Sequence, residues 1–224
     1  MIEITRSFEI RSVQIDDVEQ VASVHAQIFP DYFLTRLGKP FLNRFYKHIV
    51  TYPCTALAAF VQGECVGIVA GAPQSESFYN EFYRKNFFPL VLITLKRLAL
   101  DPIVRKEIYL RIGRIRAALK AVTKKYNKST VQVSQKALKK NSPQQGVAED
   151  LLSIGVLSDY QGQGIAEELV RQFCKALALR GVTSVMLTVQ RKNSRAIHFY
   201  EKTGWQFAGS DNLRVHFLRS TEYS

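Results

Sequence analysis

Gln161-Gly-Gln-Gly-Ile-Ala166 is the stretch best suited to chemistry. It follows the apolar run Leu151 to Val156 and the turn Ser158-Asp159-Tyr160. It precedes Glu167 to Leu179, where apolar residues recur at helical spacing. A strand, a glycine-rich turn and a helix in that order form an anion site. Glycine has no Cβ, so the backbone bends sharply and a ligand can come close. The first N–H groups of a helix lack partners within it and point outward, where phosphate usually binds. Two common phosphate loops are excluded. There is no G-x-x-x-x-G-K-S/T run, and Glu167 stands where G-x-G-x-x-G needs its third glycine. On this stretch alone, a plain tight turn between strand and helix is an equal alternative.

The wider pattern is more specific. Gln161-x-x-Gly164-x-Ala166, after Ile154-Gly-Val156, resembles the pyrophosphate loop of the GNAT superfamily, the acetyl-CoA-dependent N-acetyltransferases. That family's pattern is Gln/Arg-x-x-Gly-x-Gly/Ala, met here at all three positions. A second stretch, Asn193-Ser-Arg-Ala-Ile-His-Phe-Tyr-Glu-Lys-Thr-Gly-Trp205, resembles the later signature Asn-x-x-Ala-x-x-Phe-Tyr-x-x-x-Gly-Phe, with Trp205 replacing the usual Phe. The resemblance spans residues 7–73 and 148–224 and leaves 74–147 outside it.

The resemblance implies direct transfer of acetyl from a thioester to an amine, with acetyl-CoA as co-substrate and no metal. It implies main-chain contacts to the diphosphate from Gln161, Gly162, Gln163, Gly164, Ile165 and Ala166. It implies unpaired backbone at Ile154, Gly155 and Val156 for the pantetheine arm, and a contact from Asn193 to that arm. Tyr200 matches the tyrosine that faces the cofactor sulfur. A phenol of ordinary pKa near 10 suits a thiol leaving group, so Tyr200 is the expected general acid. A helix N-cap for Asn193 and a core position for Tyr200 are the structural alternatives. Many members carry a Glu base where this chain has Asp150, with Glu149 beside it. Neighbours on a strand face opposite ways, so only one can face the acceptor unless a bulge intervenes. A solvated acidic pair at the strand start is the alternative. Phe29, Tyr32 and Phe33 lie in the connection that walls the acceptor site in this family. They are candidate acceptor contacts, or core aromatics.

The elements that must hold these residues follow from local pattern. Phe8 to Val13 alternates as a strand. Asp16-Asp17 opens a helix through Ile28, and a second helix spans Pro40 to Val50. Thr55 to Val61 and Cys65 to Ala70 form a hairpin joined by Gln62-Gly63-Glu64. After residue 73, helices are expected over Pro89 to Leu100 and Pro102 to Val122, each with proline near its start. Lys124 to Gly146 is polar, basic and poor in large apolar residues, which predicts a mobile loop. Glu149 to Val156 is the central strand, Arg180-Gly181 closes the next helix, and Ser184 to Val189 is a strand. Asn193 starts a helix that stops at Gly204, and two strands end the chain. The order predicts one α/β domain over residues 1–224: a central mixed, mostly antiparallel twisted sheet with helices on both faces. Its core is 7–73 and 148–224, with a basic, largely helical insertion at 74–147 after the third strand.

The net charge is +12, and its location is informative. Residues 74–147 hold 16 Lys/Arg against 4 Asp/Glu; the remainder holds 15 of each. The basic character therefore belongs to the insertion. Its helix could follow a phosphate backbone or lie on an anionic membrane through residues 96–140, but a solvated helix packed on the domain or on a second copy is the expected state. A homodimer is left open. No run approaches the roughly 20 apolar residues of a spanning helix. The first residues show no secretory pattern, and a cytoplasmic enzyme is expected. Cys54, Cys65 and Cys174 are widely spaced, and the four histidines show no metal-ligand spacing. The expected acceptor is a small amine, with an amino sugar as one option. A peptide N-terminus or lysine is the alternative acceptor, and acyl-CoA binding without turnover is a further one.

Overall fold

The computed structural model describes residues 7–73, 75–109 and 147–221. The chain begins with β1 (Glu9–Ser12), a 3-10 turn (Ile15–Asp17), α1 (Val18–Ile28), α2 (Phe33–Arg36) and α3 (Lys39–Thr51). The hairpin β2 (Thr55–Val61) and β3 (Glu64–Pro73) follows. Its two-residue turn has both φ positive, +52° at Gln62 and +84° at Gly63, the conformation whose twist suits a tight hairpin. Next come α4 (Ser75–Leu100) and α5, helical over 102–109. After residue 146 come β4 (Val147–Val156), a 3-10 turn (Ser158–Tyr160), α6 (Ile165–Leu179), β5 (Val182–Gln190), α7 (Ser194–Lys202), β6 (Gln206–Ser210) and β7 (Arg214–Ser220).

The seven strands lie in the order β1-β2-β3-β4-β5-β7-β6. Every neighbouring pair is antiparallel except β4 with β5. A parallel neighbour requires a crossover, and α6 supplies it. The expected sheet with helices on both faces is therefore present.

Two cores sandwich the sheet, and alternation along the strands divides residues between them. On one side Ala58, Phe60, Ile68, Ala70 and Ala72 meet α1, α3 and α4. On the other, Leu57, Ala59, Val66 and Val69 meet α6. Gly71 is required by that second contact. A methyl there would lie 2.5 Å from Phe173 Cζ, so α6 could not pack where it does.

The segment after residue 73 departs from expectation. Pro89 does not start a helix; it lies inside the single helix α4. Interior proline removes a hydrogen bond and crowds the preceding turn, at a cost of ~3 kcal/mol. Burial opposes that cost: Phe78 and Phe82 are fully buried against α3, and Leu90 is nearly so. The first half of α4 is thus part of the domain core. Residues 102–109 of the second expected helix are helical; the rest of it and the loop Lys124 to Gly146 lie outside the described residues.

Candidate active site

The ladder between β4 and β5 is short. Val147 to Asp150 pair with Val182 to Met186, and pairing ends there. From Leu187 onward β5 pairs only with β7, while β4 continues to Val156 against β3. The two strands part, and the backbone edge of Leu151 to Val156 that faces β5 carries no ladder. A cleft of ≈ 270 Å³ occupies the opening, with Ile154, Gly155, Val156, Gly162, Asn193 and Tyr200 in its walls.

β4 also carries a bulge. Ser153 pairs with Ala70 and Leu151 with Gly71, so Leu152 is the extra residue. The bulge resets the alternation. Leu151 and Ile154 face the α6 core, and Leu152 faces the α1/α3 core. Gly155 points at α1: a methyl there would meet Ile28 Cγ2 at 2.5 Å and Phe29 Cζ at 3.2 Å. Phe29 therefore stands over the strand just before its exit.

The glycine turn sits at the cleft's outer end. Gly162 and Gly164 each have φ +78°, and nothing lies within 4 Å of a Cβ at either. Their requirement is conformational, since a left-handed φ is unfavourable for residues with a Cβ. Gly164 caps α6, so the N–H groups of Ile165, Ala166 and Glu167 are the helix's unpaired donors at the cleft wall. Gln161 has a different part. Its Nε2 donates to Val156 O at 2.9 Å, and its Oε1 accepts from the Arg195 guanidinium. The side chain ties the turn to the strand, and the main chain is left for a ligand.

Arg195 was not singled out by sequence reasoning. It lies in the first turn of α7 and puts a cation in the cleft wall beside the glycine turn. Its signal was a basic residue two positions after Asn193, inside the second signature. Asn193 caps α7, with Oδ1 accepting from Ala196 N at 3.1 Å, and it also lines the cleft. The expected cap is present.

Tyr200 is 8% exposed, with its ring against Trp205 and Phe217 at 5.7 and 5.8 Å. Burial, with a smaller push from Tyr32, holds its phenol well above the ordinary tyrosine range. Tyr32 is near enough to add that push, its ring lies 5.1 Å from Phe29, and it is not among the residues lining the cleft. Phe33 does not join them. It faces a second, apolar groove between α2 and α4.

The two carboxylates separate as strand alternation requires. Glu149 is fully buried on the α6 side, and its Oε1 lies 3.0 Å from Arg180 Nη1, an ion pair rather than an aligned hydrogen bond. Arg180 also donates to Thr55 Oγ1 at 2.6 Å and Pro53 O at 2.9 Å. Burial raises the Glu149 pKa against the pull of Arg180. Asp150 is the carboxylate on the opposite side, near Tyr79, whose phenol is pushed up to about 12 by burial, with Tyr83 and Asp150 adding to it. That is also the side of Phe29.

His25 and His48 are buried as structural residues. His25 Nδ1 is 2.8 Å from Tyr46 Oη, and burial pushes its pKa down to about 4, so it is neutral at pH 7. Burial pushes the Cys54 and Cys65 thiols up to about 12, which removes the thiolate a nucleophile needs. No cluster of metal-binding side chains occurs among the described residues.

Residues 141–205 match the model of the acetyltransferase (GNAT) family. That match runs from just before β4 to Trp205 and takes in the glycine turn, α6 and α7. An uncharacterized N-acetyltransferase of Mycobacterium tuberculosis is 32% identical over 74 residues, covering 33% of this chain and 47% of that protein. The chain therefore spans about half the length of the curated relatives it matches. Three solved structures share the GNAT fold across nearly the whole chain. The PaiA N-acetyltransferase from Thermoplasma acidophilum, in complex with coenzyme A, is 15% identical at a TM-score of 0.55, covering 96% of this chain and 99% of that one. SsHAT is 22% identical at a TM-score of 0.61, covering 97% and 100%. AAC(6')-Iy, in complex with the bisubstrate analog CoA-S-monomethyl-acetylneamine, is 10% identical at 0.56, covering 92% and 95%.

Proposed function

We propose that this GNAT domain transfers the acetyl group of acetyl-CoA directly to the primary amine of a small acceptor. The observation that carries the reading is the parting of β4 from β5 beside a glycine turn that opens onto a helix N-terminus. An extended chain bearing amides can pair with the free edge of β4 as a strand would, and a diphosphate can take the N–H groups at the tip of α6. The helix dipole contributes ~0.3–1 kcal/mol per charge there, and Arg195 adds a cation. The residues present fit the cofactor.

The chemistry then falls to few groups. A backbone N–H of β4 aimed at the thioester oxygen stabilises the developing oxyanion, an effect of ~3 kcal/mol. Tyr200, kept protonated by burial, gives its proton to the departing thiolate. Asp150, on the Phe29 side of the strand, takes the amine proton through a water. Glu149 is the weaker candidate, since Arg180 already engages it on the other side. Phe29 and Tyr32 wall the acceptor.

The test is calorimetry with CoA and acetyl-CoA, followed by a thiol-release assay on small amines, amino sugars and peptide N-termini. Saturable CoA uptake with turnover on small amines supports the reading. Uptake with turnover only on peptides moves the acceptor to protein. No uptake by folded protein removes the enzyme assignment.

A further inference from the structure

Nine of the fourteen exposed large apolar residues among the described residues lie between Tyr83 and Tyr109. They form a stripe. Phe87, Val91 and Leu95 recur every fourth position, as do Phe88 and Leu92, so all five share one side of α4. Phe88 is 78% exposed and Leu92 69%. The opposite side of the helix carries Phe78, Phe82 and Leu90 into the core. A helix that is apolar on both sides is normally covered on both. Exposed cations lie on the same helix and on α5: Arg84, Lys85, Lys96, Arg105 and Lys106, with Lys85 paired to Glu81. Residues 74–147 also hold the whole net charge of the chain.

We infer that this stripe docks the protein on the surface of an anionic lipid bilayer. Apolar side chains flanked by lysine and arginine match the two attractions such a surface offers: acyl chains below and negative headgroups above. The adjoining groove, ≈ 380 Å³ between Phe33, Leu37, Phe41, Tyr83, Phe87 and Leu95, is lined almost wholly by carbon. A peptide laid there would leave its backbone groups without partners, whereas an acyl chain needs none. No helix among the described residues is long and apolar enough to cross a membrane, so the contact is peripheral. Phe33 of α2 faces the groove.

Co-sedimentation of the full chain with vesicles tests the inference without reference to acetyl transfer. Vesicles of phosphatidylcholine and phosphatidylglycerol in equal parts should pellet the protein at low salt, and pure phosphatidylcholine should not. Molar salt, which shortens the screening length to ~3 Å, should release it. Phe88→Asp with Leu92→Asp should lower partitioning by at least about tenfold while circular dichroism and CoA binding stay unchanged. Either side chain is exposed, so the fold does not depend on it. Absence of pelleting at low salt overturns the inference, as does equal pelleting of the double variant. A dimer that dissolves in the double variant, with vesicles left unbound, assigns the face to a second copy and also overturns it.

Discussion

Asp150 stands opposite Met186 on the last rung of the parallel β4–β5 ladder. Beyond that rung β4 pairs only with β3, and its residues Ile154, Gly155 and Val156 line the cleft. The position of one rung thus decides how much strand is left for a ligand to pair with.

Gly155 is needed for closeness. Gly155→Ala drives a methyl to 2.5 Å from Ile28 Cγ2 at the end of α1. Overpacking of this kind costs about 1–3 kcal/mol, read as a lower urea midpoint. Phe29 must move with α1, so the acceptor KM should rise as well. A variant as stable as the parent would disprove the contact.

Gly164 is needed for conformation. Its φ is +78° and the space around it is open. Gly164→Ala should cost ~1–2 kcal/mol, and Gly164→Asn less, because Asn tolerates the left-handed region. Calorimetry should show CoA affinity falling in the same order. Equal behaviour of the two variants would mean that sterics, not backbone strain, governs the turn.

Tyr200→Phe keeps the ring against Trp205 and Phe217. Stability and CoA affinity should hold, while kcat falls roughly 10²–10⁴-fold. Because burial raises the phenol's pKa above its ordinary 10, the parent enzyme should show no alkaline loss from Tyr200 ionisation through the ordinary tyrosine range. A pH–rate profile together with the variant's kcat checks both statements; an unchanged kcat removes Tyr200 as acid.

His25 predicts an acid limb in stability. Its folded pKa, about 4, lies below the unfolded value of 6.5. The unfolded chain therefore takes a proton first as pH falls. Stability is present above pH 6.5 and is lost on descent to about 4, by roughly 3 kcal/mol. His25→Gln, which can still bond Tyr46 and does not titrate, should flatten that limb in denaturant titrations across the window. The His48 pKa is also lowered by burial, so some slope remains. An unaltered limb would clear His25 of the effect.

Arg180→Ala leaves Glu149 buried with its counter-charge gone. Removing one partner of a buried pair typically costs ~3–5 kcal/mol, and the partial exposure of Arg180 brings this to about 1–3. The folded Glu149 pKa is already raised, so its favourable contribution is present below the unfolded carboxylate value and is lost as pH rises through the folded one. The variant's deficit should therefore grow from acid to neutral pH. Glu149→Gln in the Arg180→Ala background should recover part of it at pH 7. No recovery would show that the arginine acts through Thr55 and Pro53 instead.

The sequence by itself determined what depends on neighbours along the chain. Positive φ at Gly162, Gly164, Gly181 and Gly204 is a local demand, and each glycine marks its turn. The Gln62-Gly63 hairpin, the amphipathic spacing of α6 and the Asn193 cap are local in the same way. Tertiary structure alone decided the rest, because those features join residues far apart in the chain. Where β4 leaves β5 depends on two strands separated by α6, and the Leu152 bulge shows only against β3. Arg180, read as a helix end, is the partner that Glu149 meets on the α6 face of the sheet. Pro89 looked like a start signal because local preference disfavours it inside a helix. The burial of Phe78, Phe82 and Leu90 outweighs that preference, and burial is a property of the folded whole.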